Sequence, residues 1–417
     1  MMSLAAFLPS PPASIPLLPA RRREPLLQAT VSPPPSSSPE ILRQQVTAAA
    51  HLVVVKVGTR VLTQADGTLN YQRIEQLAEE IHAISASPRR VVLVSSGAVG
   101  AGISLLGLKT RPTDLAKLQA VAAVGQTHLI QTYDRTFARH GRRAAQVLLT
   151  IEDVDDRIRY LNVRNTLHSL LDFGAVPIIN ENDTVSVDEL KTTFGDNDRL
   201  AAMVANLLRA PLLIVLSDIE GLYDGDPSIA TSRLVSTVER IDERVLAYVR
   251  DRKTGLSKGG MASKLEAARI VTTAGENMII ASGRQPGCLT RIMAGENVGT
   301  LFLAQGKGIS PFKRWLGFST QVRGRIQLDE GARKAILEKG KSLLAAGIVG
   351  TQGEFQKGDV VALCDAEGAV IARGLTNYSS ADVERIQGIK SEKIAQVLGR
   401  RPYEEVIHRD NLVLVKK

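Results

Sequence analysis

The chain has 417 residues, 44% hydrophobic and 23% charged, with a formal charge of +9. This is ordinary for a globular protein, and the length exceeds what one core usually serves, so two domains are expected and anionic ligands are favoured. Aromatics at 4% leave few stacking platforms for nucleic acid, the distant Cys288 and Cys364 argue against a disulfide scaffold or metal cluster, and no apolar run is long enough to span a bilayer.

Residues 1–48 are rich in Pro, Ser, Ala and Leu and carry only two acids, Glu24 and Glu40. Such a stretch is expected to be a disordered leader. Its arginines and serines also suit a transit peptide, which would place the protein in a plastid rather than the cytoplasm.

From His51 the chain alternates. Leu52–Val55, Val91–Ser95, Ala145–Leu149, Val176–Ile179, Leu212–Leu216, Met278–Ala281 and Thr300–Leu303 read as buried strands. Tyr71–Ser85, Asp114–Ala138, Arg157–Phe173, Asp198–Leu208, Asp242–Val249 and Met261–Ala274 have helical period. The pattern predicts an α/β domain over 51–305, a three-layer αβα sandwich on a mostly parallel sheet, with ligands beyond the carboxyl ends of the strands. Residues 306–321 read as a linker. Residues 322–412 read as a small, mostly β domain, with a strand at Val322–Leu328, a helix at Glu330–Glu338, a turn at Ala366–Gly368 and a helix at Ser380–Gln387.

Neither GxxxxGK[ST] nor GxGxxG occurs. Polar and glycine-rich clusters sit instead at strand ends. The first strand stops at Lys56 beside Gly58, where a charge and a backbone N–H can meet an anion, although a solvated strand end also explains them. Ser96-Gly97 opens a glycine-rich turn into a helix. Asn180-Glu181-Asn182-Asp183 is denser in polar groups than a turn requires. Gly195-Asp196-Asn197-Asp198 precedes a helix, where an acid can be a plain N-cap or can face a ligand. Ser217-Asp218 ends another strand. Lys258-Gly259-Gly260-Met261-Ala262-Ser263-Lys264 aims N–H groups, a helix dipole and a cation at one spot, which predicts a phosphate site. One cleft with two lysines, glycine turns, amides and carboxylates suits phosphoryl transfer, which needs positioning and charge neutralisation.

The segments VVKVGT, VSSGAVGAG, AAVGQ, VPIINENDTV, FGDNDRLAAMVA, SDIEGLYDGDP and GGMASK, in this order, resemble the amino-acid kinase family, on its glutamate-phosphorylating branch. RIQLDEGA and GEFQKGDVVAL resemble a PUA domain. The resemblance implies ATP-dependent phosphorylation of the γ-carboxylate of L-glutamate to L-glutamyl 5-phosphate, the first step of proline biosynthesis. It implies Mg2+ carried on ATP, with no protein-held metal. It implies Lys56 at the transferring phosphate and Lys264 at the transition state, with Asp218 organising the lysines. Ser96, Asp183 and Asn197 are implied for glutamate, and Ser217, Asp218 and Lys258, Gly259, Gly260, Met261, Ala262, Ser263 and Lys264 for ATP. Proline as a competing inhibitor and a homo-oligomer, dimer or tetramer, are implied as well. Lys258 and Arg60 stand where the family usually has small residues, and neither is expected to touch the core set.

Another amino-acid kinase, acting on a different small carboxylate, is the nearest alternative. RNA is a candidate partner of the tail, because PUA domains often bind it. From Phe318 onward, however, sixteen Lys or Arg face thirteen Asp or Glu, a weak excess. The tail is therefore expected to be structural or regulatory, and separable from the first domain.

Overall fold

The computed structural model describes residues 39–64, 66–85, 88–186, 196–249, 259–305, 313, 315–399 and 403–415. Its centre is an eight-stranded sheet in the order β3-β4-β2-β1-β5-β7-β8-β6. The strands are β1 (Leu52–Val57), β2 (Arg90–Ser95), β3 (Ala144–Leu149), β4 (Val176–Glu181), β5 (Leu212–Ser217), β6 (Thr237–Val238), β7 (Asn277–Ser282) and β8 (Thr300–Phe302). All neighbours are parallel except β7 and β8. β1 lies between β2 and β5 and is buried throughout, as its β-branched run predicts. The two-residue β6 is too short to leave an alternation signal and was not among the expected strands.

Two helical layers cover the sheet. On one face, β1 contributes Val53, Val55 and Val57 to a core with Ile74, Leu77 and Ile81 of α2 (Tyr71–Ser85). On the other, Leu52 and Val54 pack with α7 (Asp196–Leu208) and α8 (Gly259–Thr273). Between these in chain order lie α3 (Ala98–Leu105), α4 (Leu115–Ala138), α5 (Ile151–Asp155) and α6 (Arg157–Asp172), and α9 (Cys288–Met293) follows α8. Helices α7 and α8 meet through Ala201, Ala202, Ala205, Ala267 and Ala268, whose small side chains permit close approach.

The expected disordered leader is corrected for its last part. Residues Pro39–Ala49 form helix α1, while residues 1–38 lie outside the described residues. Proline stands only at the first helical position, where its missing N–H costs nothing. Val46 and Ala50 join the sheet core, and Arg43 is only 1% exposed. Its guanidinium donates to Val298 O at 2.8 Å, Ser236 O at 2.6 Å and Gly299 O at 2.9 Å. These long-range bonds stabilise a short helix that propensity alone would not hold.

The C-terminal domain is a five-stranded sheet, β10-β9-β11-β12-β13. Its strands are β9 (Gly324–Leu328), β10 (Ile348–Gln352), β11 (Val360–Cys364), β12 (Val370–Leu375) and β13 (Leu412–Leu414), with helices at Glu330–Leu337 and Ser380–Ile386. Tyr378 is buried, with its hydroxyl on the Tyr403 carbonyl, so it offers no stacking face. The packing runs across the expected boundary between the two domains. A π-helical turn, Trp315–Ser319, places Trp315 and Leu316 in the same apolar cluster as the α7–α8 face, together with Val360 and Val413 of the C-terminal sheet. Trp315 Nε1 donates to Asp155 O at 3.2 Å, and the Arg157 guanidinium lies over the Trp315 ring. Arg373 Nη1 donates to Gly317 O at 3.0 Å. The core of the first domain therefore continues into the second.

Candidate active site

Lys56 sits near the carboxyl end of β1, on the face covered by α7. It is 6% exposed, against the solvated alternative. Its Nζ lies 2.7 Å from Asp198 Oδ1, in the first turn of α7. Lys264, in the second turn of α8, points to the same carboxylate, with Nζ 3.2 Å from Oδ2 and 3.0 Å from Gly260 O. Ser263 Oγ is the third donor to this carboxylate, reaching Oδ2 at 3.0 Å. One fully buried acid thus bridges two buried lysines. Burial raises the Asp198 carboxyl, but Lys56 and Lys264 outweigh it and hold the group below its usual value. Burial lowers Lys264, and Asp198 only partly restores it. The cluster carries one net positive charge out of water, which primes it for an anion.

The acid that bridges the two lysines is therefore Asp198; Asp218, expected to organise them, makes no ion pair with either among the described residues and acts on Lys264 only at longer range. Asp218 follows β5, receives Ser217 Oγ at 3.1 Å and pairs with Arg60 at 3.1 Å and Arg284 at 3.9 Å. Burial raises its carboxyl, and the Arg60 hydrogen bond leads the groups that bring it below the usual value. Arg60 thus touches a residue of the expected core set, contrary to expectation. Asp218 lies at the end of a different strand from Lys56 and pairs outward. Asp198 enters from the helix that lies on β1, and this placement decides which acid reaches the lysines.

Gly58 does not offer its N–H to a ligand. That group donates to Leu216 O at 3.0 Å, and Ser96 N–H donates to Val57 O at 3.1 Å, so the two turns staple β1 to its neighbours. The glycine-rich turn after β2 behaves as expected in one respect. Gly97 has φ of 113° and opens α3, a backbone conformation that a side chain would strain.

Ser96, Asn180 and Asn197 come together beside the lysines' carboxylate. Asn197 Nδ2 donates to Ser96 Oγ at 2.9 Å and to Asn180 Oδ1 at 3.2 Å. Asn180 Nδ2 in turn donates to Gln126 Oε1 at 2.9 Å. Asp183 follows β4, is buried, and is raised by that burial to about 6 against the pull of Arg111. Gly259 to Lys264 form the start of α8, with the dipole directed as the sequence predicts. Lys258 and Gly195 lie outside the described residues, as does the Asp196 side chain.

Two residues of this buried network were not singled out by the sequence. Asp198 read as a helix cap or as an acid facing a ligand, since nothing local shows that two distant lysines converge on it. Gln126 was visible only as the last residue of AAVGQ. A period-based reading assigns it a place on a helix and no partner.

The amino acid kinase family model matches residues 51–282, and the PUA domain model matches residues 324–398. A glutamate 5-kinase of Rhodopirellula baltica is 49% identical over 373 residues, covering 89% of this chain and 96% of that relative. A glutamate 5-kinase of Thermoanaerobacter sp. is 48% identical, covering 88% and 98%. Among solved structures, the carbamate kinase of Giardia lamblia bound to AMP-PNP covers 62% of this chain and all of its own, at 19% identity and a TM-score of 0.43. The chain belongs to the glutamate 5-kinases of the amino acid kinase family and carries a C-terminal PUA domain.

Proposed function

We infer that the chain transfers the γ-phosphoryl group of ATP to the γ-carboxylate of L-glutamate, giving L-glutamyl 5-phosphate for proline biosynthesis. The observation that carries the reading is the Lys56–Asp198–Lys264 bridge, with the Asn197–Ser96–Asn180 hydrogen bonds starting one residue away on α7.

The acceptor carboxylate has a pKa of ~4.3 and is ionised at neutral pH. No general base is needed. The obstacle is bringing two anions together, and fixed cations lower it. Lys56 contacts the transferring phosphoryl group. Lys264 stabilises the charge that develops on it. Asp198 keeps both ammonium groups in place before substrate arrives and touches no substrate itself. ATP enters as its magnesium complex and lies across the start of α8, from Gly259 to Lys264, with Ser217 and Asp218 on its flank. Asp218, paired with Arg60 and Arg284, orients that end of the cleft and adds its charge near Lys264. Ser96 and Asn197 bind the acceptor. Asp183, ionised above about pH 6, receives its ammonium group. Proline, which shares that ammonium and an α-carboxylate, competes there, and the enzyme works as a homo-oligomer.

Hydroxylamine trapping tests the reading. With ATP and purified protein, L-glutamate should give the hydroxamate, while aspartate and N-acetylglutamate give almost none. Faster turnover of either rival acid would place the chain with another carboxylate kinase.

A further inference from the structure

Gln126 belongs to neither the phosphate end nor the expected acceptor set, yet it is 7% exposed and ends a buried polar chain. Its position is imposed by helix crossing. A Cβ on Gly125 would stand 1.9 Å from Ala98 O and 2.3 Å from Gly102 N, and one on Gly102 would stand 1.9 Å from Val121 O. Backbones of α3 and α4 therefore touch directly, and the residue after Gly125 is held against the carboxyl end of β4.

The polarity of the chain is set by the main chain. The N–H of Glu181 donates to Asn180 Oδ1 at 3.0 Å. A backbone N–H cannot turn round, so the Asn180 oxygen faces it and the Asn180 nitrogen faces Gln126. The same oxygen accepts from Asn197 at 3.2 Å, which obliges Asn197 to present its nitrogen on that side. The second hydrogen of that nitrogen goes to Ser96 Oγ. Ser96 is thus an acceptor towards Asn197, and its single O–H remains to donate elsewhere. Gln126 Nε2 is buried with no hydrogen-bond partner among the described residues. A methionine would fill similar space without an orphaned donor, so packing alone gives no reason for an amide here.

We propose that Gln126 is a positioning residue for the acceptor site: by accepting from Asn180 Nδ2 it holds the Asn180 amide in the orientation that the main chain sets, and so keeps the Ser96 hydroxyl free to donate to the acceptor's carboxylate. The inference rests on the assignment of Ser96 and Asn197 to glutamate.

Steady-state kinetics of Gln126→Met, Gln126→Glu and Ser96→Ala test it. Gln126→Met leaves the Asn180 donor unmatched and should raise KM for glutamate ~tenfold, with KM for ATP within ~twofold. Gln126→Glu keeps an acceptor and should hold KM for glutamate within ~threefold of the parent. An unchanged KM in Gln126→Met, or an equal rise in both variants, overturns the proposal. If Gln126→Met yields no soluble protein, Gln126→Glu decides alone: a parental KM supports the lock and a tenfold rise refutes it. A rise in Ser96→Ala without one in Gln126→Met defeats only the role of Gln126. No rise in Ser96→Ala defeats the acceptor-site assignment itself.

Discussion

Lys56 Nζ lies 2.7 Å from Asp198 Oδ1, and the opposite oxygen of that carboxylate takes Lys264. The strand β1 and the helices α7 and α8 meet at this acid. Without it, two ammonium groups would face one another in a buried site, and each would be driven to shed its proton. Asp198→Asn keeps the size and removes the charge. It should lower kcat by roughly a hundredfold, through misplaced and partly neutral lysines. A kcat–pH profile whose alkaline limb moves to lower pH would identify the cause, because Lys264 is already lowered by burial and Asp198 opposes that shift.

Asp183 gives a second, independent pH signature. Its carboxyl is raised to about 6 by burial. With the ionised form proposed to bind the acceptor's ammonium group, kcat/KM for glutamate should fall as pH drops through about 6. The loss is on the acid side, because protonation removes the negative charge. Asp183→Asn should raise KM for glutamate above about pH 6, where the parent carboxylate is ionised, and abolish this limb. Rate profiles from pH 5 to 8 (roughly bracketing the shifted carboxyl) check it.

The shared core makes a claim about the tail. Trp315 is 4% exposed and joins Val360 and Val413 to the α7–α8 face. Trp315→Ala should cost ~3 kcal/mol, the scale of a large core truncation. Thermal unfolding should show one lowered transition for the whole chain. Two transitions, with only the C-terminal one shifted, would mean that the domains are independent.

Arg43 is the side chain of helix α1 that reaches farthest along the chain. Arg43→Met removes three charge-assisted bonds to backbone carbonyls. Stability should fall by ~2 kcal/mol, read as the midpoint of urea unfolding, while KM values stay at the parent level. Limited proteolysis should then cut within 39–49 sooner than in the parent.

The sheet was legible because its strands are buried on both faces and written in Val, Ile and Leu. Lys56 stood out by interrupting such a run. Helix α1 was hidden because a proline-rich window precedes it, and its stabilising bonds reach Ser236 and Val298 far along the chain. The role of Asp198 was hidden for the same reason: a helix-start acid looks alike whether it caps an N–H or anchors two lysines. Asp218 attracted that role because it follows a strand as Lys56 does, but neighbouring strand ends need not aim at one point. The interdomain core was also invisible, since Trp315 sits in a stretch whose Gly, Pro and Lys read as linker.

The central claim is that fixed cations, rather than a base, carry the rate. The most direct measurement is kcat for Lys264→Ala in the hydroxamate assay with saturating L-glutamate and ATP. Loss of one preorganised donor should lower kcat by roughly a hundredfold or more, with no new pH limb. Turnover near that of the parent would remove Lys264 from the transition state and contradict the account.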